Sequence, residues 1–332
     1  MLSNIPISIL DLTNIREGED AAAAIRNSIQ MAQDAEAMEF NRFWLAEHHN
    51  MPSIASTSTD LLINMLADKT TTIKVGSGGI MLPNHSPLSV AESFGTLATM
   101  YPDRIELGLG RAPGTDGAAA AALRRNFAAT HYDFQANIEE VQSYFRTDNE
   151  GRKVRAFLAE GQNVPIWILG SSTDSAYLAA AMGLPYAFAA HFSPGQLMNA
   201  SRIYRTHFQA SEQLAKPYFM ACVNVIAADS GLEAQDLATS LQQMFVGILT
   251  NSRVKMPPPL PGYEMMMGQE LHMALQQMLY YTFVGDGHLL QEKLSQFIQE
   301  AQVDELMVTN YIYDLDQRKH AMEILMGLFK GK

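Results

Sequence analysis

Residues 5–10, Ile5-Pro-Ile-Ser-Ile-Leu10, lead into residues 20–38, a helix-length segment, and then into residues 42–46, Arg42-Phe-Trp-Leu-Ala46. The two short runs have the apolar, β-branched composition of strands. The segment between them sets Ile25, Ile29, Ala32 and Ala35 on one stripe at three-to-four spacing, with Arg26, Gln30, Gln33 and Asp34 largely elsewhere. That is an amphipathic helix with one face to bury. Strand, covering helix, strand is the βα unit of a parallel sheet.

The unit recurs. Strands are predicted at 5–10, 42–46, 73–82, 104–110, 164–169, 186–190, 219–227 and 305–310. Helices are predicted near 20–38, 59–68, 88–100, 130–146, 174–182, 195–213, 232–249, 287–301 and 314–329. Eight strands with interleaved helices specify a closed α/β barrel, the (β/α)8 or TIM architecture, as one domain over 1–332 with insertions. Two stretches exceed the repeat. Residues 111–129 carry Pro113-Gly114 and an alanine-rich segment, and residues 250–286 carry Lys255-Met-Pro-Pro-Pro-Leu-Pro-Gly262 and Met265-Met-Met267. Polyproline continues neither a helix nor a ladder, so 250–286 is a long excursion, read as a lid in preference to an oligomer contact or surface decoration.

Composition excludes several classes. The net charge of −12 is spread along the chain, and no Lys/Arg run exceeds two residues, so no nucleic-acid or anionic-membrane partner is expected. Cys222 is the only cysteine and sits in an apolar run, which precludes an intrachain disulfide and predicts a buried thiol. The N-terminus lacks the basic and small-residue features of a signal peptide, and no apolar stretch approaches the ~18 residues of a membrane span. A cytoplasmic location is the expectation.

Four strand ends carry chemistry-bearing residues. The second reads Trp44-Leu-Ala-Glu47-His48-His49. Adjacent side chains on extended backbone face opposite ways, so the two histidines are not expected to share a metal, and no metal site is predicted. A histidine at the barrel mouth suits proton transfer or a hydrogen bond to a cofactor; two satisfied loop histidines explain the same letters. The third strand holds Gly76-Ser77-Gly78-Gly79, which points to a bulge or a close ligand, or to a tight barrel corner. The fourth ends at Arg111, placed for an anion or for a surface ion pair. The fifth runs into Gly170-Ser171-Ser172-Thr173-Asp174, a phosphate cradle or a plain helix cap. Gly108-Leu-Gly110 lacks the rest of a dinucleotide fingerprint.

Taken together, Trp44-Leu-Ala-Glu-His-His, Val75-Gly-Ser-Gly-Gly-Ile-Met-Leu-Pro-Asn-His-Ser-Pro, Arg104-Ile-Glu-Leu-Gly-Leu-Gly-Arg and Ile166-Trp-Ile-Leu-Gly-Ser-Ser closely resemble the luciferase-like monooxygenase family in order and spacing. Ile9-Leu-Asp-Leu and Ala190-His-Phe-Ser-Pro look like its bacterial branch of flavin-dependent oxidoreductases rather than luciferase itself. The resemblance implies a flavin across the top of the barrel and a monooxygenase acting on paired donors: reduced FMN from a separate reductase, and O₂, used on a small organic substrate. It assigns Ser77, Gly78 and Gly79 to the flavin ring, with a non-prolyl cis peptide at that bulge, and Arg111, Gly170, Ser171 and Ser172 to the phosphate. Ser171 replaces the family's acidic residue, so that contact does not transfer. His48, with Glu47 beside it, matches the histidine that assists flavin chemistry. Asp11, His191 and Phe192 are substrate-side candidates, and His85 is a candidate or a loop histidine. F420- or NAD(P)H-dependent hydride transfer on the same barrel, and a flavin binder without turnover, are the alternatives. A homo-oligomer is expected by analogy.

Overall fold

The computed structural model describes residues 2, 5–123 and 132–330. In chain order the elements are β1 (Ile7–Asp11), α1 (Ala21–Ala37), β2 (Arg42–Leu45), α2 (Thr59–Lys69), β3 (Lys74–Met81), α3 (Pro87–Met100), β4 (Ile105–Gly110), α4 (Gly117–Leu123) and α5 (Phe134–Phe145). There follow β5 (Ile166–Gly170), α6 (Thr173–Met182), β6 (Tyr186–Ala189), α7 (Leu197–His207), β7 (Phe219–Ala227), α8 (Gly231–Leu249), α9 (Gln269–Met278), β8 (Thr282–Gly285), α10 (Gly287–Ala301), β9 (Glu305–Thr309) and α11 (Leu315–Lys330).

All pairings are parallel, and the barrel closes in the order β1-β2-β3-β4-β5-β6-β7-β9 and back to β1. Eight βα units therefore form the expected TIM barrel. The two strands that start two residues late, β1 and β5, each follow a proline: Pro6 and Pro165 lack an N–H, and each only accepts, from Leu306 and Leu107 respectively. Part of the helix expected at 130–146 lies outside the described residues, and the one expected at 195–213 is shorter, ending at His207.

The excursion at 250–286 is more structured than a plain loop. β7 runs past its barrel neighbours, and its end, Asn224–Ala227, pairs with β8, a strand that the sequence pattern did not separate from the excursion. Met256 is buried and is joined to the loop after β1, donating to the Ile15 carbonyl at 2.9 Å and accepting from Glu17 N at 2.7 Å. The segment is thus pinned near its start and at its end.

The floor of the barrel is charged. Arg42 at the start of β2 lies 3.0 Å from Glu106 and 2.8 Å from Glu305, and its guanidinium stacks over Trp167 at 4.7 Å. Trp44 donates to Glu106 at 2.9 Å, while Ser8 donates to Glu305. Burial pushes the Glu106 carboxyl up, against the opposing pull of Arg42 and Lys74. A buried charge cluster of this kind persists only when each member is partnered. Among the described residues no helix is long and apolar enough to cross a membrane.

Candidate active site

Residues that follow strand ends converge at the C-terminal face, where TIM-barrel chemistry is placed. A cavity of about 260 Å³ is walled there by Leu12 after β1, His48 after β2, His191 and Phe192 after β6, and Tyr311 after β9. The loops after β1 and β2 add Asn14 and Ile54, and the excursion and α8 add Arg253, Met244 and Phe245. A wider neighbouring groove of about 600 Å³ shares Phe192 and Met278 but is lined by no imidazole or cation, so the smaller cavity is the candidate site.

The paired histidines part as extended geometry requires. His48 lines the cavity, and its Nδ1 lies 3.2 Å from the Gly114 carbonyl. An N–H at Nδ1 leaves the lone pair of the neutral ring on Nε2. Burial lowers its pKa, opposed by Gly114 and Glu47 and reinforced by Arg253. His49 turns the other way, its Nε2 2.7 Å from Glu47. Glu47 also accepts from Met81 N at 2.9 Å and from His85 Nε2 at 2.9 Å. Burial alone would raise this carboxyl; its hydrogen bonds to His85, His49 and Met81 bring it below the ordinary value. Glu47 is therefore a buried clamp joining the ends of β2 and β3, and His85 belongs to it.

At the β3 bulge the Gly78–Gly79 peptide is cis, and the register with β4 shifts between Ser77 and Ile80. The close approaches that demand glycine come from the protein. A Cβ on Gly78 would lie 2.6 Å from Leu10 Cδ1, and one on Gly79 2.7 Å from the Gly108 carbonyl. Ser77, expected to touch the cofactor, is fully buried; its hydroxyl donates to the Gly108 carbonyl and accepts from Gly108 N, both at 3.0 Å. Its side chain staples β3 to β4 where the bulge interrupts the ladder.

Arg111 and the β5–α6 turn are neighbours. Gly110 pairs with Leu169, so their strands end side by side, and the nearest acid to Arg111 is Asp174 at 3.9 Å, both side chains being exposed. Ser172 is occupied as the N-cap of α6 in a capping box with Ser175. Gly170 is glycine because a Cβ would meet Ser175 Oγ at 2.1 Å. The Ser171 hydroxyl, with the Arg111 guanidinium, is left open to an anion at the positive end of a ten-residue helix.

Asp11 corrects the expectation placed on it. It is 1% exposed, accepts from Arg318 at 2.9 Å and from Ser28, and so ties β1 to α11 and α1 on the outside of the barrel. His191 and Phe192 do line the cavity, packed edge to face with centroids 4.8 Å apart. Burial drives His191 down to about 3, with His48 adding to the effect, so it is neutral.

Four residues of the site escaped the sequence reading. Asn224, 0% exposed in the apolar β7, donates to the His191 carbonyl at 2.6 Å and accepts from Thr309 at 2.6 Å, fixing the β6 end. A lone asparagine in Val223-Asn224-Val225 was the available signal. Asn14, Arg253 and Tyr311 come from loops with no periodic pattern. Three buried polar atoms on this one cavity, Asn14 Oδ1, His191 Nδ1 and Arg253 Nε, have no hydrogen-bond partner. Buried polar groups are normally satisfied, so three orphans on residues of one apolar cavity make it the candidate ligand site. Among the described residues no cluster of His, Cys, Asp and Glu is suited to a metal ion.

A closed parallel barrel with this mouth defines a TIM-barrel enzyme, and comparison with known proteins resolves which. Residues 5–282 match the model of the luciferase-like monooxygenases, and the chain belongs to that family. It is 44% identical to a luciferase-like monooxygenase of Escherichia coli (strain K12), covering 98% of this chain and 97% of the relative. It is 43% identical to the uncharacterized protein YvbT of Bacillus subtilis (strain 168), again over 98% and 97%. Among solved structures, apo-MsnO8 superposes with a TM-score of 0.91 at 29% identity, covering 98% of both chains. The same fold is shared with the oxygenating constituent of 3,6-diketocamphane monooxygenase in complex with FMN, at 16% identity, TM-score 0.73 and 98% of both chains. It is shared also with an F420-dependent secondary alcohol dehydrogenase, at 14% identity, TM-score 0.69, covering 98% and 99%.

Proposed function

We propose that the protein is a flavin-dependent monooxygenase that uses reduced FMN and O₂ on a small organic substrate. The observation that carries this reading is the apolar cavity lined by residues with three orphaned polar atoms, on the barrel face where β4 ends at the exposed Arg111. Arg111, the Ser171 hydroxyl and the start of α6 fit a phosphate: the cation has only an exposed acid 3.9 Å away, and the helix end attracts anions. In this reading Ser77, Gly78 and Gly79 at the β3 bulge lie against the planar ring. Reduced flavin, when bound, supplies the electrons that activate O₂.

The chain's own work is to bind, orient and keep dry. Phe245, Met244, Ile54 and Phe192 exclude water from the cavity. His48, neutral and with Nδ1 committed to Gly114, holds or accepts a proton at Nε2. Glu47 acts through position, fixing the ends of β2 and β3 around that histidine. His191 stays neutral as a hydrogen-bonding group.

The reading includes a separate flavin reductase as electron source, a cytoplasmic location and a homo-oligomer. Leu61 and Met65 of α2, Met100 of α3, and Phe157 and Leu158 are exposed apolar groups on packed neighbouring segments, which supports self-association. Size-exclusion chromatography with light scattering tests that part: a monomer at micromolar concentration removes it.

Anaerobic titration of the purified protein with FMN, reduced FMN and reduced F420, followed by rapid mixing with O₂, tests the whole. Binding of reduced FMN and its accelerated oxidation are expected. Binding of F420 without FMN moves the chemistry to hydride transfer, and wild-type protein that consumes no oxygen with any reductant is a binder.

A further inference from the structure

The cavity contains a charge that the protein does not neutralise. Arg253 enters from the segment after α8, onto the wall formed by Met244, Phe245 and Ile248. It is partly buried, its Nε is buried without a partner, and its guanidinium makes no hydrogen bond or ion pair among the described residues. The charged and titratable groups near enough to feel it are His48 and Asp116. Asp116 is already engaged by Asn50 at 2.7 Å and Ala119 N at 3.0 Å. A guanidinium with no protein partner is free to take an anion, and its planar fork is shaped for two oxygens.

The other two orphans have the opposite need. Asn14 presents an amide oxygen, which only accepts. The His191 ring is neutral and its Nδ1 is unpartnered, and that nitrogen accepts in the tautomer that carries the proton on Nε2. A complementary ligand has a carboxylate for Arg253, an N–H or O–H for Asn14 and His191, and an apolar body for the methionine and phenylalanine walls. The flavin phosphate is served from elsewhere, since Arg111 and Ser171 sit at the ends of β4 and β5 whereas Arg253 arrives from the β7–β8 excursion.

We propose that the substrate is a small apolar carboxylic acid bearing an N–H or O–H group, with Arg253 as the residue that selects the carboxylate. This deepens the monooxygenase reading and rests on it for what is done to the substrate, but the recognition itself requires no flavin.

The test is calorimetric binding of three probes to the flavin-free protein: N-acetyl-L-leucine, its uncharged carboxamide, and 4-methylpentanoate, which keeps the charge and lacks the N–H. Wild type should bind the acid about tenfold or more tighter than the carboxamide, with 4-methylpentanoate also weaker than the acid. Arg253→Gln should abolish the preference for the acid, leaving carboxamide binding and the melting temperature unchanged; Arg253→Lys should retain part of it. An acid bound no more tightly than its carboxamide, or a preference surviving in Arg253→Gln, overturns the proposal. Equal binding of the acid and 4-methylpentanoate overturns the donor requirement. FMN titration of the same variants separates the two readings: Arg253→Gln should bind FMN like wild type, and a parallel loss of FMN and acid binding assigns Arg253 to the cofactor instead. Wild type that binds the acid but no flavin defeats the monooxygenase reading and leaves this one standing.

Discussion

His85 Nε2 lies 2.9 Å from the buried carboxylate of Glu47, and the same carboxylate accepts from Met81 N, so the ends of β2 and β3 are held by one group. Burial lowers the His85 pKa and Glu47 raises it more, for a net rise; Glu47 is net lowered. The raised histidine stabilises fully below its ordinary 6.5 and loses that contribution as pH climbs through the folded value. The lowered carboxyl stabilises fully above its ordinary 4.5 and loses it as pH falls. Replacing His85 by Ala should therefore cost most between pH 4.5 and 6.5, by about 1 kcal/mol given the partial exposure of the ring. Melting temperatures of both proteins across pH check this; a pH-independent difference contradicts it.

His48 should carry the proton step. His48→Asn is expected to slow oxidation of substrate about 10²- to 10⁴-fold while flavin still binds. Because burial lowers its pKa, the acid limb of the wild-type rate should fall below pH 6.5. A limb centred above that value, or a loss of only a few-fold, speaks against the role.

Arg111→Gln tests the phosphate cradle. Loss of one charge-assisted contact should weaken FMN binding by roughly 10- to 100-fold. Riboflavin, which lacks the phosphate, is the control and should bind both proteins alike. Equal weakening of the two flavins would place Arg111 elsewhere.

Glycine at the bulge should be irreplaceable for packing reasons alone. A Cβ on Gly108 would lie 2.2 Å from the Ser77 carbonyl oxygen, so Gly108→Ala should destabilise by about 1–3 kcal/mol. Gly195 has nothing within 4 Å and a negative φ, and Gly195→Ala should stay within about 0.5 kcal/mol. Urea unfolding of both variants decides; similar midpoints would mean that the barrel yields at the bulge.

What sequence alone determined was everything with a period or a local contact. Alternating apolar runs and striped helices demanded eight parallel strands and their covers, because a strand or helix face must be buried wherever the chain leads it. The family motifs lie on those strands, so His48, His191 and Arg111 could be placed at the mouth before any coordinates. The roles of Asp11, Ser77 and Glu47 were not legible, since each depends on which distant group meets it: Arg318 for Asp11, the Gly108 backbone for Ser77, His85 and Met81 for Glu47. Arg253 and Asn14 carry no periodic signal, and they matter only because chain closure brings the β7–β8 excursion over the end of β1, while Asn224 matters through the His191 carbonyl and Thr309 on neighbouring strands. Periodicity records which face of an element is buried; the partner that a polar atom finds, or lacks, is set by contacts between segments far apart in the chain, and only the tertiary structure decides those.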